Sequence, residues 1–426
     1  MYATAVVFRC AERAVCLLSL DVTIVTARWS RSIRQTAADR FGIDPGAIVV
    51  FATQTHSAPP LGHFMLDDDF PPLPANLEYL RGGETSYYEY AAGRAVEAIG
   101  NAVSSMVPVR IGVGSTVRDG IAFNRRAVTR DGTVTTPQLF TKRELPLGPT
   151  QIRHIEGPID PEVEVLCARD DSGTPVVALL HYTCHPTHVG YEDSGAISAD
   201  WPGAWAQAMR ASLGDSCIAL VLNGCCGNIN PIPPFQPDAA PDHRRMARIL
   251  GEAAGDVVDR MDFAQPDRLD WSLRRVWLPL KPPDPQRLHA ADEMLAAYPQ
   301  PPVLGSDPLS VDSCWLGAAS VRSVELIRQR APSLLYEMQA VRIGDTALLA
   351  LPGEPFVEGQ LAIKIASPAY NTFVVHCATQ YVGYIPTLEA HRRGGHEVDF
   401  SYWAKLAPHA LDIVVRNASA LLTEIF

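Results

Sequence analysis

The chain has 426 residues, 47% of them hydrophobic and 19% charged, with a formal net charge of -11. That length allows two or three domains or one large α/β domain, with ample apolar residues for a core. The acidic balance, the shortness of the basic clusters (Arg125-Arg126, Arg244-Arg245, Arg392-Arg393) and the lack of zinc-ribbon cysteine spacing exclude a nucleic-acid-binding class. No apolar run reaches the roughly 18 residues of a membrane-spanning helix. Met1 to Phe8 enters a strand pattern directly, without a leader-like block, so a soluble, cytoplasmic protein is expected. The 9 cysteines sit mostly in apolar strand contexts at irregular spacing, as reduced thiols do, and vicinal Cys225 and Cys226 read as reduced turn residues.

In chain order, 3–9 and 14–21 alternate as a hairpin. Trp29, Ile33, Ala37 and Phe41, four apart, predict a helix over 29–41. A strand at 47–52 follows, and a strand–helix–strand unit of this kind favours parallel pairing. Residues 57–83, with five prolines, read as a long irregular loop that carries His63 either toward substrate or on a surface flap. A helix over 85–106 and a strand over 109–117 lead into a second long loop, 121–161. Strands at 163–168 and 176–182 make a hairpin around Asp170-Asp171-Ser172-Gly173. Pro202 inside a first turn opens a helix over 202–213. Then come a strand at 217–222, a Pro-rich loop at 231–241 and a helix over 242–262. The stretch 264–334, with a strand at 269–280 and helices at 285–299 and 316–331, reads as an inserted subdomain or a crossover. Strands at 336–343, 346–351 and 372–377, a helix starting near Glu354 and a closing helix over 408–424 complete an α/β pattern. The expected fold is a mixed central sheet with helices on both faces and the site at the carboxyl ends of the strands.

Five apolar runs end in polar or Gly-containing turns. Val176–Leu180 opens into His181, Cys184, His185 and His188, so three of the 12 histidines fall within eight positions. Ala47–Phe51 runs toward His56, Cys217–Leu222 into Asn-Gly-Cys-Cys-Gly-Asn-Ile-Asn-Pro, Thr346–Leu351 into Glu354, and Thr372–Cys377 toward Tyr384. In α/β proteins ligands bind outside the carboxyl ends of strands. Imidazole and carboxylate at such ends suit a catalytic zinc that keeps one position open. A single histidine there equally suits a hydrogen-bonded structural role, and no His-Glu-x-x-His spacing decides between them.

The stretches Ala-Thr-Gln-Thr-His-Ser-Ala-Pro from Ala52, Cys-His-Pro-Thr from Cys184, Asn-Gly-Cys-Cys-Gly-Asn-Ile-Asn-Pro from Asn223, Leu-Pro-Gly-Glu from Leu351 and Tyr-Val-Gly-Tyr-Ile-Pro-Thr from Tyr381 occur in a telling order. It is the motif order of the neutral/alkaline ceramidases, and Asn124-Arg125 adds a sixth match. The chain resembles bacterial proteins related to that family's amidase domain, from about residue 3 to its end. The resemblance implies a zinc amidase with one Zn2+ per chain, held by His185, Glu354 and Tyr384, with Arg125 on the acyl oxygen. The first histidine of the family's Thr-His-Thr-His-Ser-Gly motif is Gln54 here. Either Gln54 takes part through its carbonyl oxygen, or His56, on the same side of an extended strand, becomes the ligand. The family's catalytic serine falls at Asn230, which can donate to an oxyanion but cannot attack; a metal-activated water would then be the nucleophile. A further family tyrosine, 12 residues past Tyr384, falls at His396, either a general acid to the leaving group or a loop histidine.

His181, with His188, is expected to orient the ligands by hydrogen bonding from behind. Asp200 either does the same or caps a helix. The resemblance implies a chain that starts inside the family's first strands and is without its C-terminal β-sandwich domain. The implied organisation is one ceramidase-like catalytic domain over 1–426, and the implied partner a small soluble substrate. Hydrolysis of a C–N amide is the expected activity, with a metal-dependent esterase or lactonase and a non-catalytic ligand-binding protein as alternatives.

Overall fold

The computed structural model describes residues 1–136, 152–189, 195–234, 242–305 and 310–426. The first hairpin forms as β1 (Ala3–Cys10) and β2 (Arg13–Leu20), turning at Ala11 in the left-handed region. Helix α1 (Ala27–Phe41) crosses over to β3 (Ile48–Ala52), which pairs parallel to β2. Helix α2 (Thr85–Ser104) leads to β4 (Val109–Val117). The loop expected over 121–161 contains short strands instead: β5 (Phe123–Asn124), β6 (Ala127–Thr129), β7 (Val134–Thr135) and β8 (Ile152–Ile155), the last three in one small sheet. β9 (Glu162–Asp170) and β10 (Pro175–Tyr182) make the second expected hairpin. Helix α3 (Asp200–Leu213), β11 (Ile218–Asn223), β12 (Ile229–Asn230) and α4 (His243–Val258) follow. The stretches 137–151 and 235–241, parts of the expected loops over 121–161 and 231–241, lie outside the described residues.

Downstream, β13 (Leu269–Pro279) pairs along its whole length with β14 (Ser333–Ile343), and α5 (Pro285–Ala297) and α6 (Ser313–Arg330) lie between them in sequence. So 264–334 contributes a strand to a main sheet as well as a helical pair. β15 (Thr346–Ala350) leads to a two-residue strand β16 (Glu354–Pro355) where a helix start was expected. Helix α7 begins three residues later (Val357–Ala366). β17 (Asn371–Val375), β18 (Tyr384–Ile385), a short α8 (Leu388–Arg393) and α9 (Ala410–Ile425) close the chain.

The mixed α/β architecture is present, with its strands shared among several sheets. The large ones run β1-β2-β3, β11-β10-β9-β4 and β13-β14-β15-β17. Strand alternation sorts the residues. Leu179 of β10, Leu220 and Leu222 of β11, Leu348 of β15 and Phe373 of β17 share one inner core with the first sheet, α1 and α2. The opposite faces bury Ala178, Leu180 and Val221 under α3 and α4, and Ala347, Leu349 and Val374 under α7 and α9. The runs Val49–Phe51 and Leu179–Tyr182 are sealed from solvent, as strands covered on both faces must be.

The Pro-rich 57–83 stretch is anchored. Leu66, Phe70, Leu73, Leu77 and Leu80 pack on Trp315 and Ala319 of α6. Arg330 at the end of α6 grips both carboxylate oxygens of Asp67 at 2.6 and 2.7 Å. No helix among the described residues is long and apolar enough to cross a membrane.

Close backbone approach, more than side-chain packing, joins the strand ends. A Cβ on Gly227 would lie 2.5 Å from the Glu354 carbonyl oxygen and 2.9 Å from that of Pro355. Gly227→Ala is therefore expected to lower unfolding stability by about 2 kcal/mol or more. Gly93→Ala, in α2 with open space around it, should raise stability by about 0.5–1 kcal/mol. Urea melts of the two variants check the pair of signs.

Candidate functional site

The convergence expected from the five strand ends is present, and backbone bonds create it. The His185 N–H and its ring Nδ1 both approach the Ile229 carbonyl oxygen, at 3.1 and 2.9 Å. Glu354 and Tyr384 are partners in the parallel β16–β18 pairing. Arg125 follows β5, which pairs with β12, and its N–H donates to the Asn228 carbonyl at 2.9 Å. His56 donates its N–H to the Pro186 carbonyl at 3.1 Å, and its ring lies edge-on to that of His185 at 5.5 Å.

The centre is a contact between His185 and Glu354. His185 Nε2 lies 3.1 Å from Glu354 Oε2, and both side chains are buried. Because Nδ1 donates to a carbonyl, a neutral ring presents a bare lone pair at Nε2, and it faces a carboxylate oxygen. Two acceptors at that distance require a proton or a cation between them. Glu354 Oε1 accepts from the Tyr381 hydroxyl at 2.7 Å. Burial would raise the Glu354 carboxyl, but His185 and the Tyr381 hydrogen bond outweigh it and hold the group at about 2.

Tyr384 and Arg125 form the second part. Arg125 Nη2 donates to the Tyr384 hydroxyl at 3.2 Å and to the Gly227 carbonyl at 2.8 Å, and its guanidinium lies 5.5 Å from the Tyr384 ring centre. Burial, then Glu354, pushes the Tyr384 phenol well above its ordinary value. Arg125 Nε is held at 2.8 Å by Glu397, whose other oxygen lies 2.5 Å from Arg126 Nη1. Arg126 in turn pairs with Glu156. Glu397 has no solvent exposure. Its burial would raise the carboxyl, but Arg125 and Arg126 hold it at about 2.

The other expected residues are placed as follows. Asn230 is buried in β12, and its Oδ1 accepts from the Ile232 N–H at 3.2 Å. His396 is half-buried with its ring 5.6 Å from that of Tyr384, and burial lowers its pKa. Gln54 is buried and turned into the left-handed region at φ 66, with Oε1 3.6 Å from the Cys226 thiol. The His56 side chain is solvent-exposed, yet enough protein surrounds it that desolvation, then His185, lowers its pKa. That combination marks a residue lining a recess.

His63 is turned to Asp68 at 2.8 Å and lies edge-on to Tyr88, within its own loop and α2. His181 sits between sheets, stacked on Phe373, with Nε2 3.1 Å from the Val374 carbonyl. Its Nδ1 is 2.8 Å from Glu164, out of hydrogen-bond alignment. None of these contacts is to His185 or Glu354. Asp200 ties the histidine turn to the start of α3, accepting from His188 Nδ1 at 2.7 Å and from the Val189 N–H at 2.9 Å. Asp200 is itself at φ 54. Among the described residues, Gln54, Asp200, Cys377 and Thr379 are four of the five non-glycine residues with positive φ, and all lie on segments that meet around the centre. Backbone strain of this kind gathers at functional sites.

Sequence reasoning missed His376 and Glu397. His376 is fully buried, with Cys226 Sγ 3.6 Å from its Nε2, and burial followed by His185 lowers it to about 3. A lone histidine at the end of an apolar run gives no signal beyond core packing. Glu397, 272 residues from Arg125, had only its place beside His396 to mark it. Cys226 and Cys225 are free thiols, and burial raises both, which suits the reading of inert turn residues.

The donor set fits a zinc ion in part. The 3.1 Å separation of His185 Nε2 and Glu354 Oε2 is close to the roughly 3.3 Å between two ligands of tetrahedral zinc. Among the described residues, no group of three His, Cys, Asp or Glu side chains is arranged to hold a metal. A complete zinc site would therefore have to draw on Tyr384, Gln54 or a shift of His56.

Replacing Glu397 with Gln leaves two buried arginines short of a counter-charge. Stability at neutral pH should fall by about 3–5 kcal/mol. Glu397 is lowered from 4.5 to about 2, so its contribution is complete above the ordinary value and is lost as pH falls from there toward about 2. Acid unfolding of Glu397→Gln should be shallower across that window than that of the wild type, as followed by circular dichroism.

No family model and no curated protein sequence matches the chain. Solved structures do. The chain is similar to the neutral ceramidase from Pseudomonas aeruginosa, at 18% identity and a TM-score of 0.66, over 97% of this chain and 67% of that one. It is similar also to a ceramidase complexed with C2, at 17% identity and a TM-score of 0.67, over 98% of this chain and 69% of that one. The chain thus spans about two thirds of the length of these proteins. Over nearly its whole length, it has a ceramidase-like fold.

Proposed function

We propose that the protein is a hydrolase that cleaves a C–N amide bond of a small soluble substrate, with zinc as its metal. One observation carries this reading: the buried His185 Nε2, with its other nitrogen fixed on a carbonyl, faces Glu354 Oε2 at 3.1 Å. Where no proton lies between them, that arrangement suits a shared cation. His185, Glu354 and Tyr384 would hold the zinc, with His56 or Gln54 completing the set. When bound, zinc supplies Lewis-acid polarisation and makes water a nucleophile at neutral pH.

The chain's own groups then have separate tasks. Arg125, fixed by Glu397 and the Gly227 carbonyl, aims positive charge at the acyl oxygen beside Tyr384. Asn230 donates its side-chain amide to the oxygen as negative charge develops there. His396 gives a proton to the departing amine, and its lowered pKa makes it a willing donor once charged. Tyr381 holds the Glu354 carboxylate in one orientation.

Wild-type protein purified without chelator should carry about one zinc per chain, consistent with a single open catalytic site. His185→Ala should lose the metal and lower turnover at least about a hundredfold. Elemental analysis and a panel of paired amides and esters check this. Full turnover in His185→Ala would sink the proposal, and cleavage of esters alone would replace amidase by esterase.

A further inference from the structure

Half-buried rings flank the polar centre on two sides. On one, Phe64 lies edge-on to Tyr381 at 5.8 Å, and the Tyr381 hydroxyl holds Glu354. On the other, His396 lies between Tyr384, at 5.6 Å, and Trp403, at 6.0 Å and tilted by 31°. Phe64, Tyr381, His396 and Trp403 all retain solvent exposure, whereas Phe356 and Phe373 nearby are sealed in the core. An aromatic ring left half open beside a polar centre presents a face on which a second ring can stack.

Two constraints narrow what would stack there. The charged groups of the centre are matched. Arg125 and Arg126 face Glu397 and Glu156, and Glu354 would face the metal that it shares with His185. An anionic substrate would have to compete with Glu397 for Arg125, so a neutral one is favoured. Trp403 is also fixed relative to Tyr384. Its carbonyl accepts the Tyr384 N–H at 2.8 Å, and a Cβ on Gly383 would be 2.4 Å from that oxygen. The backbone that carries the indole is therefore fixed beside Tyr384, and the ring lies next to His396, on the side where the proposed proton donor meets the departing nitrogen.

We propose that the site takes a neutral amide whose amine portion is a planar aromatic ring, with Trp403 as the residue that selects the ring. This rests on the hydrolase reading above. In the reaction water adds its oxygen to the acyl carbon and gives one proton to His396, the C–N bond breaks, and the arylamine leaves with that proton. The products are a carboxylic acid and a neutral arylamine.

Acetanilide and N-cyclohexylacetamide, alike in size and polarity but differing in the ring, are the probes. Binding is measured by calorimetric titration of the zinc-loaded protein and hydrolysis by release of the amine. Wild type should bind acetanilide about 3- to 10-fold more tightly than the cyclohexyl compound. Trp403→Phe should keep most of that ratio, and Trp403→Leu, shown folded by its melt, should bring it to about one. Equal binding of the two by wild type overturns the proposal, whether or not Trp403→Leu folds. So does a preference that survives in folded Trp403→Leu. A ring preference in binding with hydrolysis of neither compound overturns the hydrolase reading and leaves ring selection standing. Equal binding with hydrolysis of both overturns ring selection alone.

Discussion

Four chain segments far apart in sequence come within backbone contact of one another, and the site exists because they do. The turn at Gly227 touches the Glu354 and Pro355 carbonyls, and Gly383 touches that of Trp403. No side chain fits at either place. These approaches hold β12, β16 and β18 close enough that Ile229 can receive two donors from His185 while Glu354 pairs with Tyr384. A methyl group at either glycine would push the strand ends apart and separate the acid from the imidazole. The glycine-rich motifs of the sequence are thus geometric parts of the site although they supply no reactive group.

Buried charge is the second consequence. Bringing Arg125 to Tyr384 takes a guanidinium out of water, which is costly unless the charge is matched. Glu397 matches it, and in doing so takes on Arg126, which in turn takes on Glu156. Alternation of sign along this chain lets each group stay ionised where burial alone would favour neutrality. The same network ties the segment around His396 to the small sheet carrying Arg126. The position of His396 beside Tyr384 is therefore set from both sides, by Glu397 and by the Gly394 carbonyl, each of which meets Arg126. Lys364, surrounded by Asp160, Glu162 and Glu164, solves the same problem behind the Asn223–Cys226 turn. There Gln360 donates to Asp160 and Thr183 and accepts the Cys225 N–H.

Most elements were legible because apolar runs and turn signals coincide. Val49–Phe51 and Leu179–Tyr182 are buried on both faces, so the run itself is the signal. The short strands around Phe123–Thr135 were not legible, since two-residue pairings leave no period to read. Glu354, at an expected helix start, lies instead in a two-residue strand. Its parallel partner, Tyr384, is 30 residues away, and local propensity is blind to such pairing. In the candidate site, the strand ends announced His185, Glu354 and Tyr384. They could not announce which face each histidine would take: His181 and His185 are four residues apart, but the strand ends at Tyr182 between them. His181 is thereby left among the sheets, while His185 turns out toward Glu354.

Gln54 shows how a changed residue is absorbed. A longer amide at a strand end must satisfy both its backbone and its carbonyl. Here the backbone turns to φ 66, its N–H reaches the Val22 carbonyl at 3.2 Å, and its Oε1 meets the Cys226 thiol. A thiol is a weak donor and gives little in return for a strained backbone. The conformation is therefore held by the surrounding strands and not by that contact. Cys226 also lies against the buried ring of His376, another polar group without a strong partner. Gln54 and His376, each against the Cys226 thiol, thus bring two polar side chains close to the His185–Glu354 pair. That is where a bound ion, or a substrate's polar atoms, would gain most from the protein.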